Sequence, residues 1–153
     1  MPKNINFNVT DDTLEPFYAV ELMFGTVTRQ VPVEGHTGGD GNDYSIENTT
    51  NYDGLVVGIG STIVFDQSNA TNTGHPLRLS LTSDGTHGGG VEYTTGVTIS
   101  GVPGQANAKT QWVVDATLSH GDILYYYCSS HSGMGGSITV SPAEQRLWTG
   151  FGE

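Results

Sequence analysis

Ile123–Val140 reads ILYYYCSSHSGMGGSITV. It opens on aliphatic and aromatic residues, which favour strands. Small, polar and Gly-bearing residues follow from Ser129, the composition of a tight loop. Ser137–Val140 returns to strand composition, so the stretch predicts strand, short loop, strand. Side chains alternate faces along a strand, so Tyr126 shares a face with Cys128, and Tyr125 with Tyr127. The loop carries Cys128, His131 and Met134 at the spacing C-x2-H-x2-M. Thiolate, imidazole and thioether are donors that suit soft or borderline copper. Cys128 at a strand end and His131 one turn later can reach one ion, with Met134 approaching from the axial side.

The same alternation of apolar runs with Gly, Asn, Asp and Thr extends through the chain and argues for an all-β fold. Strands are predicted at Phe17–Phe24, Val27–Val31, Tyr44–Glu47, Leu55–Val57 and Thr62–Asp66. Further strands are predicted at Leu77–Leu81, Gly96–Ile99, Thr110–Val114, Ile123–Cys128 and Ser137–Val140. No long segment shows helical period, and only Gly101–Ala108 suggests a short helical turn. Glu34–Asp43 (EGHTGGDGND) reads as a polar linker, Ser68–Gly74 (SNATNTG) as a turn cluster and Ser83–Gly90 (SDGTHGGG) as the most flexible stretch by composition. These divisions predict an N-terminal β extension and linker over 1–42, a β domain over 43–140 and a C-terminal tail over 141–153.

Composition narrows the function. The 153 residues suit one domain, with or without a small appendage. Sixteen acidic against five basic residues give a formal charge of −11. Such a chain repels phosphate backbones and anionic membrane surfaces, so neither nucleic acid nor a membrane is an expected partner. Charged residues make up only 14%, which argues against long salt-bridged helices and coiled coils. No apolar run approaches the roughly 20 residues of a membrane-spanning helix. The opening residues MPKNINFNVT lack the apolar core of a secretory signal. Cys128 is the one cysteine, so no internal disulfide can form.

A copper site built on Cys128, His131 and Met134 needs a second histidine from elsewhere. Thr62–Leu79 (TIVFDQSNATNTGHPLRL) predicts a strand, an Asn-rich turn and His75 at the opening of the next strand. His75 lies 53 positions before Cys128 and would arrive from a neighbouring strand of a Greek-key sandwich. Its rivals are His87, among glycines, and His120, while His36 falls in the linker. Bland readings stand beside these. A lone cysteine is most often a small buried hydrophobe, and Met134 could be core filler. Asp84 in Ser-Asp-Gly-Thr reads as a turn residue rather than a calcium ligand. The carboxylates form no recognisable acid–base pair, and Ser129–Ser130 lie in no G-x-S-x-G elbow.

The stretch Tyr125–Val140, with Cys128, His131 and Met134 in that order, resembles the C-terminal copper loop of the cupredoxins. Its short spacing is most similar to amicyanin-like members, the loop of plastocyanin-like members being longer before the Met. Gly58–Asp66 followed by His75 resembles the family's strand and first-His segment, so the likeness covers roughly 44–140. It implies a Greek-key β-sandwich holding one type 1 (blue) copper. His75, Cys128 and His131 would be the equatorial ligands and Met134 the long axial one. It also implies one-electron transfer without substrate turnover, hence no enzyme, and a redox partner that the sequence does not name. The Ser83–Gly104 region is longer and more Gly-rich than in the small electron carriers.

A second resemblance bears on context. GHPLRLS, TSDGTHGGG, YTTGVT, GVPG and YYYCSSHSGMGG together look like cupredoxin-like modules in proteins of marine tailed bacteriophages. Pro16–Phe24 and Gln145–Gly152 resemble two neighbouring strands of phage tail-associated proteins, with the copper-type module inserted between them. Insertion at an exposed loop tip is physically tolerated. That likeness implies a virion or tail location with other virion proteins as partners. It also admits a rival role, a structural or adhesion module in which a metal is only a staple or is absent.

Overall fold

The computed structural model describes residues 25–35, 41–46, 49–50 and 52–141. The expected strand Phe17–Phe24, part of the expected linker with His36, and the tail from residue 142 lie outside the described residues. What is described is nearly all β, in three sheets. The first sheet runs β1 (Thr26–Gln30), β6 (Thr62–Asp66), β9 (Lys109–Val113), β8 (Val97–Ser100). The second runs β5 (Leu55–Gly58), β11 (Gly135–Ser141), β10 (Ile123–Cys128), β7 (Leu77–Ser80). A third, small sheet holds β2 (Val33–Gly35), β3 (Asn42–Ile46) and β4 (Thr49–Thr50). The pairs β1–β6 and β5–β11 are parallel, and the other pairs are antiparallel.

The strands form where period-two patterning puts alternate apolar residues on one face. In β9, Thr110 and Trp112 point into the protein while Lys109, Gln111 and Val113 do not. In β7, Leu77 and Leu79 are buried around the half-exposed Arg78. The inward sets of the two larger sheets meet in one core that includes Ile63, Phe65, Trp112, Leu77, Leu79, Leu124, Tyr126, Ile138 and Val140. Two contacts fix the sheets face to face. The rings of Phe65 on β6 and Tyr126 on β10 lie 6.0 Å apart. The buried Thr110 hydroxyl on β9 donates to the Leu77 carbonyl on β7 at 2.9 Å. The molecule is therefore an all-β sandwich, as its sequence pattern predicts.

The predicted strands within the described residues match the observed ones to within a residue or two. β1 and β2 fall inside the 1–42 segment set apart by composition, and β1 pairs with β6 along five residues. The helical turn expected at Gly101–Ala108 is a correction: that stretch is a series of turns. Gly101, Gly104 and Asn107 all take positive φ there, which breaks any helical run. The helical turn among the described residues is instead a 3-10 turn at Ala70–Asn72, inside the expected turn cluster. The side chain of Asn69 caps it by accepting from the Thr71 amide at 3.0 Å. Among the described residues no helix is long and apolar enough to cross a membrane.

Candidate metal centre

The register between β7 and β10 creates the site. Cys128 pairs with Leu77, so the residues just before β7 lie beside the end of β10. Those residues are His75 and Pro76. The Ser129 amide donates to the Pro76 carbonyl at 3.0 Å and extends the pairing past the strand end. The Cys128 amide donates to the Met134 carbonyl at 2.9 Å, which closes the intervening loop and sets its length.

His75 is fixed through its backbone. Its amide donates to the Asn72 carbonyl at 2.8 Å, tying it to the 3-10 turn. Its carbonyl accepts two buried hydrogen bonds, from the Tyr44 hydroxyl and the Gln67 side-chain amide, each at 2.7 Å. Gln67 is itself buried, accepts from the Leu77 amide at 3.0 Å and donates to the Asn72 side chain at 3.1 Å. One glutamine thus joins the 3-10 turn, His75 and the start of β7. These shared buried hydrogen bonds restrain the geometry, because moving His75 or Gln67 would strand their buried partners, although the Nδ2 of Asn72 is itself buried without a partner among the described residues.

Three donors converge. The Cys128 Sγ lies 3.9 Å from Nδ1 of His75 and 3.5 Å from Nδ1 of His131. The two imidazole rings are 4.6 Å apart, centre to centre. All three ligand atoms lie within 4.8 Å of one another. Metal–nitrogen bonds of about 2.0 Å and metal–thiolate bonds of about 2.3 Å put N and S about 3.5–3.7 Å apart at tetrahedral to trigonal angles. The observed separations bracket that range, so the donor set fits one small ion of the N/S-binding kind. Cys128 and His75 are buried, and His131 is exposed. Met134 is 1% exposed and belongs to the same packed core as Cys128. Burial, and then the neighbouring His131, hold His75 below the usual imidazole pKa, which favours the neutral ligand form. Burial, and then the adjacent Cys128, push the Tyr44 hydroxyl well above the usual phenol value, so Tyr44 stays a donor.

No protein-family model matches the chain, and a search of the curated proteins finds no match. The functional reading therefore rests on the site itself.

The structure brings His75, Cys128 and His131 together, with Met134 closing the loop. It leaves the rivals aside. His120 is exposed before β10, outside the cluster. The His87 ring contacts the backbone carbonyl of Cys128, not its sulfur. Of the three tyrosines, Tyr126 faces the core with Cys128, and Tyr127 is buried on the other face. Sequence reasoning did not single out Tyr44 and Gln67. Both act on His75 through its carbonyl, and no side-chain spacing signals a bond to a backbone atom.

Proposed function

We propose that the chain is a cupredoxin-like, Greek-key copper protein that binds one copper ion at His75, Cys128, His131 and Met134. The observation that carries this reading is the convergence of the Cys128 sulfur with Nδ1 of two histidines beside a buried methionine. Copper held there would supply a one-electron couple. The protein's own part is to hold the donors. Cys128 gives up its proton on metal binding, and neutral His75 needs no proton loss. The network of Tyr44, Gln67 and Asn72 keeps His75 in place whether or not metal is bound. The exposed His131 offers a ring edge at the surface for electron exchange. Substrate turnover forms no part of this reading.

The test is a titration of purified metal-free protein with Cu(II), followed by visible absorption, beside Cys128→Ser. An intense thiolate charge-transfer band that saturates at one copper and vanishes in the variant is the expected result. A flat spectrum in both proteins overturns the copper assignment.

For context we propose a bacteriophage virion or tail, supported by the sequence resemblances of the 74–136 segments and of the two flanks. The second reading, a metal staple in a structural module, is favoured by one feature. The donors come from the start of one strand and the end of another, so any bound ion also pins β7 to β10. Fast, reversible voltammetry favours the electron carrier. A large rise in melting temperature without reversible redox behaviour favours the staple.

A further inference from the structure

The Gly-rich excursion between β7 and β8 is not the loose loop its composition suggests. Its stems are tied together. The Ser80 hydroxyl donates to the Val91 carbonyl at 2.7 Å and accepts from the Thr82 amide at 3.1 Å. The Arg78 guanidinium pairs with Glu92 at 3.4 Å. Within it, the Gly85 amide donates to Thr82 and the Gly90 amide to Gly85, at 2.9 and 3.0 Å. The backbone at Gly85 lies directly on the Tyr127 ring, so closely that a Cβ there would overlap it. The His87 ring stands edge-on to Tyr127, with centres 6.3 Å apart.

From this platform two side chains reach the ligand loop. The Asp84 carboxylate accepts from the Gly133 amide at 2.9 Å, beside Met134. The His87 Nε2 lies 3.1 Å from the Cys128 carbonyl; a carbonyl only accepts, so this nitrogen carries the proton. The two contacts grip the 129–133 loop at Cys128, immediately before it, and at Gly133, its last residue. Asp84 makes its contact from a left-handed backbone (φ 56°), a conformation that disfavours most side chains.

We propose that the 82–90 excursion is a clamp, and that Asp84 and His87 are positioning residues that hold the 129–133 loop in its ligating shape before metal arrives. The inference rests on the copper reading for its consequence, but the clamp itself is a property of the metal-free protein. A preorganised loop binds more tightly because less of it must be ordered on binding. A carboxylate accepting from an amide is among the stronger single contacts available for this.

Two measurements test it on Asp84→Ala, Asp84→Asn and His87→Phe. The first is amide hydrogen exchange across residues 129–133 in the metal-free protein. The second, in copper-loaded protein, is the rate of copper loss to a chelator together with the position of the charge-transfer band. Asp84→Ala is expected to speed both exchange and copper loss about tenfold, the scale of one charge-assisted hydrogen bond, and to shift the band. Asp84→Asn keeps an acceptor oxygen and is expected to restore most of the wild-type behaviour. His87→Phe keeps a ring against Tyr127 but loses the donor, and is expected to fall between them. Unchanged exchange in Asp84→Ala, or Asn behaving like Ala, overturns the clamp. If wild-type protein shows no charge-transfer band, the copper reading fails, while the exchange measurement still decides the clamp.

Discussion

Two residues hold the His75 carbonyl, and they differ in what else they do. Tyr44 supplies one hydrogen bond, whereas Gln67 also satisfies the Leu77 amide and the Asn72 side chain. Gln67→Leu keeps the approximate volume but orphans the buried Leu77 amide, at a cost of about 1–3 kcal/mol. Tyr44→Phe leaves the carbonyl with its Gln67 partner and is expected to cost only about 1 kcal/mol. Urea unfolding of the two metal-free variants checks the order, and a larger loss in Tyr44→Phe would make the hydroxyl the principal support. The candidate ligands were legible because three of them sit within seven residues of one another, in an order tied to one chemistry. His75 was legible from its place after a strand and a turn. Asp84 read as a turn residue and is one, yet its partner Gly133 is 49 positions away. Neither residue's type announces that contact.

At the scale of elements, strand prediction succeeded where alternation or a run of branched and aromatic residues is long enough to count. It missed β2 and β4, which have only three and two residues and carry no period. It placed a helical turn at Gly101–Ala108 because glycine composition alone does not reveal the sign of φ. The β10–β11 hairpin, predicted from its own sequence, depends on two glycines in a way composition does not show. A Cβ at Gly135 would overlap the Tyr126 carbonyl, and one at Gly136 the Tyr52 carbonyl. Since backbone rather than a flexible side chain stands in the way, Gly135→Ala is expected to cost about 1–3 kcal/mol in urea unfolding. A neutral result would mean that β11 can slide without harm to the ligand loop. The β1–β6 edge supplies a pH test. Burial raises the Asp66 carboxyl, but hydrogen bonds from Ser68 and Gln30, with Lys109 nearby, outweigh it and leave the pKa below its ordinary value. A depressed carboxyl stabilises the fold above the unfolded value of about 3.9 and loses that contribution as pH falls through the folded value. Asp66→Asn is therefore expected to be less stable than wild type at neutral pH, with the gap closing in acid. A gap that widens on acidification would reverse the assignment.

The whole molecule carries a formal charge of −11, and that field acts on anything approaching the site. The exposed His131 stands in a loop with Ser129, Ser130, Ser132 and Gly133, none of them charged, and the Asp84 carboxylate held on the Gly133 amide has the same sign as the whole, so nothing in the loop offsets the global charge. A negative field raises the encounter rate of cations and lowers that of anions, by factors of about ten to a thousand at low salt. Screening over a Debye length of about 8–10 Å removes most of this at physiological ionic strength. If the copper reading holds, a small cationic redox reagent should exchange electrons faster than an anionic one of matched driving force. Rising salt should slow the first and speed the second, so that the two rates converge. Stopped-flow kinetics on copper-loaded protein over a range of ionic strength measures both trends. Opposite salt slopes would imply that a natural redox partner presents a basic surface, since an acidic one would be repelled at every approach. Salt-independent rates for both reagents would mean that the global charge exerts no net field at the exchange site. In that case the −11 charge acts on solubility rather than on partner choice.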